Sequence, residues 1–323
     1  MIIIRGVKFN SAFDGAGVRN FDGRGYWQHG IFHRLFPRGF DFGGQVFVAK
    51  STPFLPNVGF MPLREDGLTP KEKIPRCIIV NFRKAFVLNA VKLSSPGLYR
   101  LLESGIWQNR TDNFFISLAF LSQTRIERLE ELRLSINLLL RYQSGFKGNV
   151  GLQIDYSCPS VKVVEPVTVD EVHEGLEMTA HLRVPTTLKF NLFLSKADAC
   201  KIAEHEECDL FHVTNAMPWG SIPDKIDWRG LFGADESPLK EFGGGGLSGA
   251  PLLDPLIDWL ERVGGDISKP ICAGGGIVGR QSVCKLLNRI DSHTVMAIAL
   301  SSVAIVRPWR LQETIGLIND RLQ

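Results

Sequence analysis

Eight short apolar segments, separated by longer amphipathic ones, are the feature that most limits how this chain of 323 residues can fold. Each segment is a near-continuous apolar run rather than an alternating one, as expected of strands that are covered on both faces. Because helical patterns lie between most of them, right-handed crossovers and a parallel sheet are expected. The predicted strands are residues 46–49, 86–88, 114–120, 150–156, 187–192, 210–213, 270–273 and 295–300.

Eight strands alternating with helices favour an α/β chain folded as a closed (β/α)8 TIM barrel, in a single domain over residues 1–323. Residues 1–45 are predicted to form a β-hairpin and a first helix that lead into the barrel. Two long loops, 51–85 and 216–247, both follow strands and should lie at the C-terminal face, where barrels of this kind place their active sites. The predicted helices are residues 96–104, 123–142, 169–182, 196–206, 252–263 and 280–288.

Composition narrows the class of protein further. The chain is 44% hydrophobic and 22% charged, and its net charge of +3 is too small to indicate nucleic acid or an acidic membrane as partner. No apolar run reaches the roughly 18 residues that a membrane helix needs. Six scattered cysteines without a CxxC pair indicate a reducing compartment rather than disulfides or a zinc site. We expect a cytoplasmic protein with a small-molecule substrate and no bound metal.

Polar and small residues recur where the predicted strands end. In a barrel these places converge on one mouth, and their chemistry suits a polar, anionic, planar ligand. Glycine after a late strand is the usual phosphate cradle of barrels, because the backbone N–H groups can approach oxygen closely. The helix at 280–288 would add its positive N-terminal end. A plain turn is the alternative for the glycines. The residues concerned are Lys50-Ser51-Thr52, Asn89, Ser157–Ser160, Lys189, Thr214-Asn215, Gly274–Gly276 and Ser301-Ser302.

Motifs along residues 6–310 resemble, in the same order, those of dihydroorotate dehydrogenases, especially the soluble class 1 forms. The glycine-rich G-G-L-S-G motif matches in full, the G-G-I motif and the flavin-lysine strand also match, and the other motifs are similar. The motifs are Val48-Ala49-Lys50-Ser51-Thr52, Asn89-Ala90-Val91-Lys92-Leu93-Ser94-Ser95-Pro96-Gly97, Asp155-Tyr156-Ser157-Cys158-Pro159-Ser160, Leu188-Lys189-Phe190, Thr214-Asn215-Ala216, Gly245-Gly246-Leu247-Ser248-Gly249, Gly275-Gly276-Ile277 and Ser301-Ser302.

The resemblance implies FMN held without a covalent link, with Lys50 and Lys189 beside its ring. It further implies an FMN-dependent dehydrogenase acting on CH–CH donors in pyrimidine biosynthesis, which oxidises dihydroorotate or a related dihydropyrimidine by hydride transfer to FMN. Cys158 would be the base and Lys50 a second catalytic residue; a buried structural thiol is the alternative for Cys158. The implied cofactor-binding residues are Gly15, Ala16, Lys50, Ser51, Asp155, Lys189, Thr214, Ser248, Gly249, Gly275, Gly276, Ser301 and Ser302, and the implied substrate residues are Asn89, Ser95, Ser160 and Asn215.

The chain departs from the family pattern in the substrate half of the site. Asp155, Ser160 and Ser95 stand where the family has asparagines. An amide donates and accepts hydrogen bonds, whereas an ionised carboxylate only accepts, so Asp155 would repel the carboxylate of orotate. The flavin half of the site therefore matches the family better than the substrate half, and the substrate stays open.

Three other functions remain open on the sequence. One is a flavoenzyme like tRNA-dihydrouridine synthase, which the small net charge disfavours. Another is a flavin-binding protein without dihydroorotate turnover, and the third is a barrel that uses Gly274–Gly276 for a phosphorylated substrate with no flavin. A homodimer and a separate electron-transfer partner are compatible with the sequence, and the electron acceptor is undefined. His212 and Cys272 lie inside predicted strands and are expected to be core residues.

Overall fold

The computed structural model describes residues 1–157 and 164–322, and eight strands of these residues close into a parallel barrel. The strands are β1 (Ile2–Ile4), β2 (Val7–Phe9), β3 (Ala12–Asp14), β4 (Gln45–Val48), β5 (Ile78–Asn81), β6 (Phe86–Asn89), β7 (Phe114–Ala119), β8 (Val150–Asp155), β9 (Thr186–Phe190), β10 (Leu210–Val213), β11 (Met217–Pro218), β12 (Gly246–Gly249), β13 (Ile271–Gly274) and β14 (Val295–Leu300).

Helices alternate with the strands of the barrel. They are α1 (Trp27–Leu35), α2 (Leu98–Glu103), α3 (Arg125–Tyr142), α4 (Val169–Thr179), α5 (Lys196–Ala203), α6 (Trp228–Phe232), α7 (Leu253–Val263), α8 (Arg280–Leu287), α9 (Val303–Val306) and α10 (Leu311–Arg321). Short 3-10 turns lie at Gln143–Gly145, Ala180–Leu182, Lys240–Phe242, Ala250–Leu252, Gly264–Asp266 and Pro308–Arg310. No helix of the described residues is long and apolar enough to cross a membrane.

The barrel runs β3-β4-β7-β8-β9-β10-β13-β14, and β14 returns to pair with β3. Each of these pairs is parallel. The predicted (β/α)8 TIM barrel is therefore confirmed. All eight carboxyl ends point to one mouth.

One predicted barrel strand was assigned wrongly. Residues 86–88 belong to β6, which pairs antiparallel with β5 and β12 outside the barrel. Its run is continuously apolar because both of its faces are covered: Phe86 and Leu88 pack in one cluster and Val87 in another. The missing barrel strand is β3, whose three residues and buried Asp14 give little apolar signal.

The two long loops meet above the barrel mouth, as expected. An antiparallel sheet in the order β11-β12-β6-β5 forms there. Its strands β5, β11 and β12 come from the two loops, and β6 is the fourth strand. At the other end, the hairpin of β1 and β2 packs Ile2, Ile4 and Phe9 against Phe13 and Phe115 of the barrel. The hairpin thus closes the end opposite the mouth.

A buried ion pair joins two outer helices. Arg128 of α3 donates from Nε and Nη2 to the two carboxylate oxygens of Glu171 of α4, at 2.7 Å each, and both side chains are nearly inaccessible. Paired bonds of this kind satisfy both charges away from water. Removing one partner leaves the other charge buried and unpaired.

We predict that Arg128→Met lowers the free energy of unfolding by about 3–5 kcal/mol, because it strands the Glu171 carboxylate. Arg133→Met is the matched control, since Arg133 pairs with Glu130 on the exposed side of the same helix. It should cost no more than about 1 kcal/mol. Urea unfolding of both variants measures the difference, and equal losses would contradict the prediction.

Candidate functional site

A cavity of about 770 Å³ lies between the barrel mouth and the antiparallel sheet. This volume is within the range of about 300–1,000 Å³ that is typical of small-molecule sites. Residues far apart in the chain converge there, and the roles assigned to them from the sequence remain predictions. The predicted site residues that line the cavity are Gly15, Ala16, Lys50, Ser51, Asn89, Asp155, Lys189, Thr214, Asn215, Ser248, Gly249, Gly275, Gly276, Ser301 and Ser302.

Three predicted residues are not placed in the cavity. Cys158 and Ser160 lie outside the described residues. Ser95 is buried away from the cavity, so its assignment to the substrate is corrected. Its hydroxyl is 2.6 Å from Oγ1 of Thr52 and accepts a bond from the N–H of Gly97, so it holds the loop before α2.

One end of the cavity is built from glycines where a larger residue would displace a neighbour or strain the backbone. A Cβ on Gly15 would lie 1.8 Å from Oγ of Ser301, and one on Gly276 would lie 2.3 Å from the backbone nitrogen of Leu253. Gly275 and Gly276 also have φ of +121° and +77°, a region that favours glycine. The glycines let this turn pack closely against Ser301, Thr214 and the start of α7 while it lines the cavity.

The helix at 280–288 was predicted to point its positive N-terminal end at the phosphate site, but it does not reach the cavity. The lining of the cavity after β13 reaches Ile277, whereas α8 starts at Arg280, which is not among the lining residues. Ser301 and Ser302, at the end of β14, lie at this end of the cavity instead. The glycine turn and the serine pair are thus the groups available to a ligand here.

A second cluster is built around a buried carboxylate. Asp155 at the end of β8 accepts a bond of 3.0 Å from Nζ of Lys189, and both side chains are at least nine-tenths buried. Nδ2 of Asn215 is 3.0 Å from both oxygens of Asp155, and the N–H of Ser157 donates to the same carboxylate. The carboxylate is satisfied by the protein itself, which explains how an ionised group is tolerated here.

Lys50 stands at the end of β4. Its ammonium group bonds the carbonyl of Ser94 and lies 4.6 Å from the ring centroid of Phe21. Gly17 makes room for its stem, because a Cβ there would be 3.2 Å from Cγ of Lys50. Lys50 and Lys189 both line the cavity, together with Lys73 and Lys92, and Lys189 is paired with the carboxylate of Asp155.

His212 of β10 was expected to be a core residue, and it is buried but also lines the cavity. Burial, reinforced by the nearby Lys189 ammonium, lowers the pKa of His212 to about 3. Its Nδ1 is 3.0 Å from Nε2 of Gln153, which is bonded in turn to Ser117. It pairs in register with Lys189 of β9, a neighbour that no local pattern in the sequence reveals. Cys272, in contrast, is confirmed as a core residue.

No protein-family model and no curated protein matches the chain. Solved structures that resemble it include the tryptophan synthase complex from Pyrococcus furiosus, at 11% identity and a TM-score of 0.40, with 98% of this chain and 99% of that one covered. Another is a mutant tryptophan synthase alpha-subunit from the same organism, at 14% identity and a TM-score of 0.31, covering 64% of this chain and 85% of that one. The barrel architecture rests on the closed ring of strands, not on these matches.

The predicted enzyme class is corrected. The sequence indicated an FMN-dependent dehydrogenase acting on CH–CH donors, and this prediction is wrong, because the solved structures named above are of tryptophan synthase. In the predicted substrate half of the site, the hydrogen-bonding groups of one residue are already used within the protein. The amide of Asn215 is engaged: its nitrogen bonds Asp155, and its oxygen accepts from the N–H of Ala216.

We predict that His212 makes the protein less stable in acid. Its pKa is about 3 when folded and 6.5 ordinarily, so the unfolded chain binds the proton more tightly. The stability is fully present above pH 6.5 and is lost as the pH falls toward 3. Between pH 7 and 5 this amounts to about 2 kcal/mol. Urea unfolding at both pH values should show a drop that is smaller by this amount in His212→Gln, and equal drops would rule the effect out.

Proposed function

We propose that this chain binds FMN without a covalent link in the cavity at the barrel mouth, as a redox-active flavin protein. The observation that carries the proposal is the combination of a glycine turn at one end of a single cavity with the strand-end lysines Lys50 and Lys189 elsewhere in its lining. FMN is a phosphate ester joined to a planar ring, so it would use backbone donors for the phosphate and cations beside the ring. When bound, FMN would supply a ring that takes up and releases electrons.

The phosphoryl group would lie at Gly275, Gly276, Ser301 and Ser302. Closely approachable backbone N–H groups and hydroxyls are suitable donors for phosphate oxygens. The contact of Gly15 with Ser301 supports the same assignment, since a side chain on Gly15 would displace that serine. The residues present therefore fit a phosphate, and the cavity continues beyond it for the rest of the molecule.

The ring would lie toward Lys50 and Lys189. Lys50 and Lys189 bring two side-chain amino groups to this part of the cavity, and Asp155 brings one carboxyl group. Reduction of a flavin adds negative charge to the ring, and a nearby fixed cation stabilises it. Lys189 is held in place by Asp155, so its ammonium group is oriented before any ligand arrives.

We predict that the purified protein is yellow or becomes so on addition of FMN, with absorption bands near those of free flavin that bleach on dithionite and return with air. Flavin released by heat should have the mass of FMN rather than FAD. A colourless protein that leaves FMN fluorescence unchanged would contradict the proposal, and would favour a phosphorylated ligand without flavin.

Introducing a negative charge tests the proposed phosphate end of the cavity. Ser301→Asp should weaken FMN binding at least about tenfold, because a carboxylate would face the phosphate. Ser292→Asp is the matched control: Ser292 is exposed and precedes β14 at the opposite end of the same strand. FMN fluorescence titration compares the two. Riboflavin, which lacks the phosphate, should bind both variants equally, and a loss of riboflavin binding in Ser301→Asp would point to misfolding instead.

A further inference from the structure

A line of hydrogen-bonded side chains crosses the inside of the barrel and reaches the cavity at both of its ends. It joins Ser51, Ser117, Gln153 and His212, which belong to or follow four different strands. Ser51 and His212 line the cavity, whereas Ser117 and Gln153 lie beneath it and are almost fully buried. Because each bond in such a line fixes the next, the protons in it have defined places.

The direction of the line follows from what each group can donate. Ser117 gives its one hydroxyl proton to Oε1 of Gln153 at 3.1 Å. Ser51, whose oxygen is 2.8 Å from that of Ser117, must then be the donor of the pair. At the far end, Nε2 of Gln153 donates to Nδ1 of His212 at 3.0 Å.

The protonation of His212 is thereby set. A neutral imidazole carries one proton, and the nitrogen that accepts a bond cannot hold it. The proton is therefore on Nε2. That nitrogen lies beside the end of β13, where a Cβ on Gly274 would approach it to 3.0 Å, and both residues line the cavity.

We propose that His212 is a flavin-contacting residue that presents its Nε2–H from the floor of the cavity to an acceptor atom of the flavin ring. This inference rests on the proposed binding of FMN. His212 lies in register with Lys189 on the neighbouring strand, so the donor and the ammonium group would serve the same part of the ring. Ser51, whose proton is directed to Ser117, is left to accept a bond from the ligand.

Two consequences distinguish this role from a structural one. The donor favours the form of the ring with more negative charge, so its loss should lower the reduction potential of the bound flavin as well as the affinity. The effect should also depend on the N–H rather than on the volume of the side chain. His212→Gln retains an amide donor, whereas His212→Leu fills much of the space without one.

The first experiment needs no substitution. Long-range ¹H–¹⁵N correlation spectra of histidine in the wild-type protein should show His212 protonated on Nε2 between pH 5 and 8, with or without FMN. A proton on Nδ1, or a doubly protonated ring in this range, would overturn the inference.

The second experiment measures FMN affinity and midpoint potential. His212→Leu should weaken FMN binding by about fivefold to thirtyfold and lower the potential, and His212→Gln should recover most of both. His173→Leu, on α4 and outside the cavity lining, should behave as wild type. Equal affinity and potential in the Leu and Gln variants would overturn the inference alone. Wild-type protein that takes up no FMN would overturn the proposed function, and the flavin contact with it.

Discussion

Closure of the barrel by its shortest strand is the constraint on which the site depends. The three residues of β3 pair with the last part of β14, joining Ala12, Phe13 and Asp14 to Ile298, Ala299 and Leu300. This pairing brings Gly15 against Ser301, although nearly the whole chain separates them. Without it the sheet would stay open and the ends of the first and last strands would not share a mouth. The glycine end of the cavity therefore depends on pairing between strands that are far apart in the chain.

The buried pair of Asp155 and Lys189 shows how polar chemistry is accommodated inside that ring. An isolated charge would be costly at this depth, but each group here has the other, and Asn215 and Ser157 complete the coordination of the carboxylate. The same arrangement uses up hydrogen-bonding groups that a substrate would otherwise need. Because this carboxylate is satisfied by its own neighbours, the glycine end of the cavity is the part that stays accessible to a ligand.

The sequence predicted the barrel because its strands are buried on both faces and therefore read as apolar runs. Most of the site residues that it predicted line the cavity, since polar residues at strand ends must meet once the barrel closes. It failed where the pattern was ambiguous: β6 is covered on both faces without belonging to the barrel, and β3 is too short to show a period. His212 was read as a core residue because burial and a role in the cavity give the same apolar neighbours. Its bond to Gln153 depends on the register of separate strands, which no local pattern contains.

The hairpin of β1 and β2 closes one end of the barrel and leaves the cavity at the other end. Rings of Phe9, Phe13 and Phe115 pack with centroids 5.0–6.2 Å apart and block the barrel axis on that side. Whatever occupies the barrel exchanges with solvent through the opposite opening. Phe9 belongs to this plug but not to the barrel, so its substitution can change thermal stability while the residues that line the cavity stay in place.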